Sequence, residues 1–470
     1  MSKPQVPAVI VALVALLLMS SCSLYHEEFK APDVTEANYE LRVVQVDDFG
    51  SWWNPAKAQD TINLIKQSAK TTNTYVVLFI HGWHHNADTE TDTNYLDFKD
   101  TLKSLGDKLA APEYATARQN ITGNSTFKLI GVYVGWRGKS LPGVLDYATM
   151  WWRKTAAERV GDGDVSEFIE RLHRIYLRTN ALGVRSNIPQ PDTRKPYMGL
   201  VSIGHSFGGQ VLMKSIARPL EYYLTERAPR LASSLQDPSQ TTPAEMADQI
   251  VPIDSFGDVN ILLNPALEAY QYAKIDSLYR QIRFSYNQAP QLVVFSADND
   301  SPRQFFFPIA RGLTRLFRPP FSNDYQGNLY GEALGEFEPQ RTHTMTLAPG
   351  TPDSLVAADY SNREVISHFD FTGNLSFAGM SLQRLPEHKV PNSPVAVVYT
   401  EGGIIDGHNG IFKPQFVEFL TKYIDFIEGK NLALRRERWE QRRGKARSQL
   451  EGAAMKQNAP LPDGALAPSP

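Results

Sequence analysis

The stretch Leu200-Val201-Ser202-Ile203-Gly204-His205-Ser206-Phe207-Gly208-Gly209-Gln210-Val211-Leu212 constrains this chain more than any other. An apolar run ends in Gly-His-Ser-Phe-Gly, and apolar residues at helical spacing resume directly afterwards. The pattern predicts a strand, a sharp turn with Ser206 at its apex, and a helix. Glycine is expected at Gly204 and Gly208 because a side chain at either would collide with neighbouring backbone. The following helix would aim the unpaired N–H groups of its first turn at the serine. A Gly/Ser turn ahead of an ordinary helix could carry the same five residues. The flanking elements and the partners below give the motif its weight.

Further strands lie on both sides of it. Tyr39 to Val46 roughly alternates apolar and polar residues, and Thr74 to Trp83 is a buried-strand run ending in His81-Gly82-Trp83. Phe127 to Val134 closes with Gly135-Trp136-Arg137-Gly138. Val259 to Leu263 stops at Asn264-Pro265, and Gln291 to Phe295 leads to Asp298-Asn299-Asp300. Val395 to Tyr399 leads to Asp406-Gly407-His408-Asn409-Gly410. Helical patterns cover Tyr95 to Leu109, residues 141–178, the stretch from the serine turn to about Tyr223, the segment from Pro265 to Tyr279, and Pro414 to Ile427. Strands alternating with helices predict an α/β fold, a mostly parallel sheet flanked by helices. Between 301 and 394 the alternation fails in a segment rich in aromatics, Pro and Gly. Such a length inside an α/β domain reads as an insertion, either a cap over the site or irregular surface packing.

A serine at such a turn acts as a nucleophile only with a base, an acid to hold that base, and donors for a developing oxyanion. His408 is the candidate base, in a glycine-flanked loop between the last strand and the last helix. His343, His368 and His388 fall within 301–394 and read as structural or surface groups. Asp298 and Asp300, just past the strand at 291–295, are the candidate acids. His84 and His85 invite a metal reading with Asp88, but their spacing fits no metal motif, and no metal or other cofactor is expected. Arg137 sits at a strand's C-terminal end, where open α/β sheets bind ligands. It reads equally as a group for a substrate carboxylate or phosphate and as a structural arginine paired with an acid.

With serine, acid and histidine in that order, the chain from about Tyr75 to Ile427, the 301–394 segment apart, resembles the α/β-hydrolase superfamily of lipase/esterase type. The resemblance implies an α/β-hydrolase fold with Ser206 as nucleophile, His408 as base in the loop after the last strand, and an acid after the strand at 291–295, Asp300 favoured and Asp298 the alternative. It implies an oxyanion hole from the backbone N–H groups of Phe207 and Trp83, and no cofactor. No glycine triplet follows His81, unlike one esterase branch, and acid and histidine stand farther apart than is usual in the family. The implied activity is hydrolysis of carboxylic esters, lipid or acyl esters among them. An amidase, peptidase or acyltransferase on the same triad is the alternative, as is a catalytically silent binding protein on the same fold.

The formal net charge of −3 lacks the basic excess that a nucleic-acid partner requires. The single cysteine, Cys22, excludes an intramolecular disulfide and any multi-cysteine site. It follows Lys3, an apolar run from Ala8 to Met19 of signal-peptide length, and Ser20-Ser21. That junction resembles the lipobox of bacterial lipoproteins, with Met19 where leucine is usual; a plain secretory signal with an incidental cysteine is the alternative. The resemblance implies removal of residues 1–21, lipidation of Cys22 and, with Ser23 next, an anchor in the outer membrane of a Gram-negative envelope. Residues 22–38 then read as a tether and 39–430 as the α/β domain. Residues 431–470 read as an Arg-rich, solvated helix with a disordered Pro/Ala-rich end.

Overall fold

Val76, Leu78 and Ile80 enter one apolar core, while Phe79 between them enters a second core on the opposite side. A strand buried on both faces belongs inside a sheet covered by helices on both sides. The computed structural model describes residues 27–140, 146, 149–180, 196–226, 256–282, 284, 288–300, 322–356, 374–388 and 393–431. Its strands are β1 (Val34–Thr35), β2 (Glu40–Gln45), β3 (Asn73–Ile80), β4 (Phe127–Gly135), β5 (Met198–His205), β6 (Val259–Leu263), β7 (Leu292–Ala297), β8 (His343–Leu347), β9 (Leu375–Phe377), β10 (Met380–Arg384) and β11 (Val395–Thr400). Among the described residues they form one 11-stranded sheet in the order β1-β2-β4-β3-β5-β6-β7-β11-β8-β10-β9. Every pair from β2 across to β8 is parallel, and only the edge pairs β1–β2, β8–β10 and β10–β9 are antiparallel. The chain is thus a mixed α/β protein with a largely parallel sheet.

Helices α1 (Pro55–Thr71), α2 (Thr93–Ala110), α3 (Pro112–Thr122), α4 (Met150–Asp162), α5 (Asp164–Thr179), α6 (Phe207–Glu226), α7 (Ala273–Tyr279) and α8 (Asp324–Leu329) connect the strands, and α9 occupies residues 414–431. Helices α1, α4, α5, α6 and α7 feed the first core, and α2 and α9 the second. After β4 the chain crosses back over β3 to reach β5, so the strand order reverses there. Such a reversal opens a crevice at the C-terminal ends of the neighbouring strands.

Several elements differ from the sequence reading. Helix α1 escaped it because its buried stripe (Ala58, Thr61, Ile62, Ile65, Ala69) is only partly apolar, although Asn54 caps it through Lys57 N–H at 3.0 Å and Pro55 opens it. Helix α3 was likewise not expected. The helix expected through Tyr279 is a 3₁₀ turn at Ala269–Gln271 followed by the short α7. The described part of 301–394 supplies α8 and three strands that continue the sheet beyond β11. Residues 27–35 lie along β2, where Phe29 N–H and carbonyl pair with the Gln45 side chain at 2.9 and 2.8 Å. The leader, Cys22, His368 and residues 432–470 lie outside the described residues. Among those described, no helix is long and apolar enough to cross a membrane.

Candidate active site

Strand β5 ends at His205 and α6 begins at Phe207, which leaves Ser206 alone in the turn. Its φ is +55°, a left-handed conformation that costs a non-glycine residue energy and persists only where the surroundings enforce it. They do so through the backbone: Ser206 N–H donates to the Leu263 carbonyl at 3.0 Å, and the Ser206 carbonyl accepts from Gly209 at 3.0 Å and Ala266 at 3.1 Å. A Cβ on Gly204 would stand 2.5 Å from the Gly208 carbonyl oxygen, and one on Gly208 would strike the carbonyl of Ile80. Both glycines are therefore sterically required.

His408 reaches this turn from the loop after β11. Its Nε2 lies 2.7 Å from Ser206 Oγ and its Nδ1 lies 2.9 Å from Asp300 Oδ2. A carboxylate only accepts, so Nδ1 carries the proton and the Nε2 lone pair faces the serine hydroxyl. Asp300 is fully buried and Ser206 nearly so. Serine, acid and histidine stand beyond the C-terminal ends of β5, β7 and β11. Asp298 turns elsewhere: its N–H donates to the Thr400 carbonyl at 2.9 Å, and a Cβ on Gly402 would stand 2.5 Å from its Oδ1. Of the two candidate acids, Asp300 is the one that meets His408.

The loop after β3 passes so close to the nucleophile turn that a Cβ on Gly82 would lie 2.7 Å from Ser206 Cβ. Trp83 follows, its ring centroid 6.1 Å from that of Phe207. Phe207 opens α6, so its N–H precedes the first internal hydrogen bond of the helix. His81 anchors this loop from below. Its Nδ1–H donates to the Gly82 carbonyl at 2.9 Å, its Nε2 accepts Trp136 N–H at 3.1 Å, and the Trp136 indole donates to the His81 carbonyl at 2.9 Å. Burial pushes His81 down to about 4, so the ring is neutral near pH 7, as an accepting Nε2 requires.

No protein-family model, curated protein or solved structure matches this chain.

The remaining candidates take other places. His84 Nδ1 lies 2.7 Å from Asp146, and His85 Nδ1 lies 3.2 Å from Asp92. Asp88 accepts from Glu90 N–H and the Thr91 hydroxyl. These groups face separate partners, and among the described residues no three His, Cys, Asp or Glu side chains are grouped to hold a metal ion. Arg137 and Arg153 clasp the carboxylate of Asp48, Arg153 with both Nη atoms at 2.8 Å. Burial of Asp48 opposes its charge, yet Arg153 and Arg137 hold it below the usual carboxylate range. His343 and His388 are buried, and burial pushes them down to about 3 and about 4. They are neutral core groups. Sequence reasoning passed over Asn264 as a strand end, although its side chain reaches the His408 loop. The available signal was an asparagine, which tolerates left-handed backbone, at the tip of a strand beside the site.

Proposed function

We propose that the chain is a serine hydrolase with an α/β-hydrolase fold that cleaves carboxylic esters through an acyl-enzyme. The observation that carries this reading is the relay from Ser206 Oγ to His408 Nε2 at 2.7 Å and from His408 Nδ1 to Asp300 at 2.9 Å. The left-handed Ser206 in a strand–turn–helix supports it independently.

Ser206 Oγ attacks the ester carbonyl carbon while His408 Nε2 takes the hydroxyl proton. The electron pair displaced onto the carbonyl oxygen is held by the N–H groups of Phe207 and Trp83, the kind of preorganised donors that stabilise a tetrahedral intermediate most. Asp300 keeps the imidazole in the required tautomer and favours its protonated form. Collapse expels the alcohol, which leaves with the proton from His408. A water molecule then attacks the acyl carbon, His408 takes its proton, and the returning proton releases Ser206 and the free acid. The substrates are small or lipid esters met at a cell envelope, the chain being anchored through a lipid on Cys22, in the outer membrane.

The test uses residues 23–470, wild type against Ser206→Ala, with p-nitrophenyl esters of increasing acyl length and a fluorophosphonate label. Hydrolysis and labelling that vanish together in the variant are expected, and the length profile separates esterase from lipase. Equal background rates and no label on either protein would sink the reading.

A further inference from the structure

Just past the end of β6 the backbone of Asn264 turns into the left-handed region, with φ +43°. Its side chain makes three hydrogen bonds in a buried position. Nδ2 donates to the Gly407 carbonyl and to the His408 carbonyl, both at 3.0 Å, and Oδ1 accepts Ala297 N–H at 2.9 Å. Two carbonyls can only accept and an amide N–H can only donate, so the surroundings themselves dictate which end of the side-chain amide points where. His205 adds a second donor to the same His408 carbonyl, Nε2 at 3.0 Å. Burial, reinforced by His408 nearby, holds the His205 imidazole well below its usual range. It is therefore neutral, with its single proton on Nε2. Asn299 Oδ1 accepts Gly407 N–H at 3.0 Å from the exposed side.

The short turn around Asn264 touches each of the other two parts of the relay. Leu263 and Ala266 bond the backbone of Ser206, at 3.0 and 3.1 Å. Asn264 N–H donates to the Phe295 carbonyl at 2.8 Å, in the strand that leads to Asp300. The serine turn, the acid strand and the histidine loop thus meet at one residue, and that residue contributes no reacting atom.

We propose that Asn264 is a positioning residue for His408: its amide pins the Gly407 and His408 carbonyls to the end of β7, so that the imidazole stands between Ser206 and Asp300. The proposal rests on the serine-hydrolase reading for its kinetic consequences and on geometry alone for its structural one. Without the Asn264 amide the part-buried Gly407 carbonyl loses its side-chain donor and the His408 carbonyl keeps only His205, so the glycine-flanked loop has freedom to drift.

Two variants test it. Asn264→Asp retains the size, the acceptor for Ala297 and the tolerance for left-handed backbone, but turns an ionised oxygen toward two carbonyls. Asn264→Gly removes the side chain and relieves the positive φ, so it serves where the charged variant does not fold. Both are expected to lower kcat about 100-fold, the order of loss that a misplacement of about 1 Å produces, with KM unchanged because no substrate contact is lost. In Asn264→Asp the added negative charge near His408 favours imidazolium, so the acid limb of kcat moves to higher pH; in Asn264→Gly it does not. The downfield proton signal of His408 Nδ1–H, assigned by its absence in His408→Ala, reads the His408–Asp300 bond without any turnover. It is expected to shift or broaden in both variants. A wild-type signal and wild-type kcat in both variants overturn the proposal while leaving the hydrolase reading intact. Loss of the signal in a protein that hydrolyses no ester upholds the positioning role and removes the hydrolase reading.

Discussion

Gly82→Ala places a methyl group where the loop after β3 passes nearest to Ser206. The added Cβ would stand 2.7 Å from Ser206 Cβ, and 3.1 Å from both Nδ1 and the carbonyl oxygen of His205. Carbon atoms in ordinary contact are about 3.5–4.0 Å apart, so the loop and the serine turn must separate by roughly 1 Å. The serine turn is the stiffer side, since Leu263, Gly209 and Ala266 hold it by hydrogen bonds. The loop that carries Trp83 therefore yields. A displacement of about 1 Å costs on the order of 100-fold, and complete loss of one oxyanion donor costs roughly 100- to 1000-fold. We expect kcat to fall by about 100- to 1000-fold, equivalent to ~3–4 kcal/mol of transition-state stabilisation. KM should stay close to wild type, because the donor acts on charge that exists only in the transition state. Overpacking should also lower unfolding stability by about 1–3 kcal/mol. Saturation kinetics on a p-nitrophenyl ester and a thermal melt measure the two effects separately. A variant with wild-type kcat, or one in which only KM changes, refutes the placement of the oxyanion donors beside Gly82.

Asp300→Asn should lower kcat by about 10⁴-fold, because an amide offers Nδ1 a donor and favours the wrong imidazole tautomer. Asp298→Asn should stay within a few-fold of wild type, and equal losses in the two variants would contradict the assignment of the acid. A third prediction concerns stability. Burial pushes His173 down to about 3, and the neutral ring accepts Gly257 N–H at 3.2 Å and pairs with the Tyr223 hydroxyl at 3.0 Å. A folded pKa below the unfolded value of about 6.5 means that the unfolded chain binds the extra proton. Stability is therefore complete above that value and drains away as pH falls towards 3, by about 2 kcal/mol between pH 7 and pH 5 from this group. His173→Gln, which does not titrate, should shrink the pH 7-to-5 loss of unfolding free energy in urea titrations by that amount. An unchanged pH dependence would show that the buried ring is not the source.

The features legible in the sequence are those set by local sterics. The near-continuous apolar runs of β3 to β7 and β11 had to be buried on two faces, and a glycine pattern around Ser206 had to form a sharp turn. His408 was legible by its place after the last strand, where the resemblance to α/β-hydrolases puts the base. The elements that escaped carry weaker local signals. Strands β8, β9 and β10 are three to five residues long and are only partly buried, so their alternation is too brief to separate from irregular chain. Helix α1 hides its buried stripe behind alanine and threonine.

Sequence alone determined the element types along the central sheet, the steric need for Gly204 and Gly208, and the short list of groups able to form a relay with Ser206. Tertiary structure decided which members of that list meet. Asp298 and Asp300 are two residues apart in one loop and chemically alike, so the choice depends on where the loop after β11 delivers His408, more than a hundred residues later in the chain. Arg137 was divided between ligand and structural roles until β4 and α4 brought it with Arg153 onto Asp48. Asn264 shows the same limit: its amide meets carbonyls 143 and 144 residues away. Local propensity follows from a residue and its neighbours in sequence, whereas a hydrogen bond across the sheet follows from strand order and register. Only the folded chain sets those.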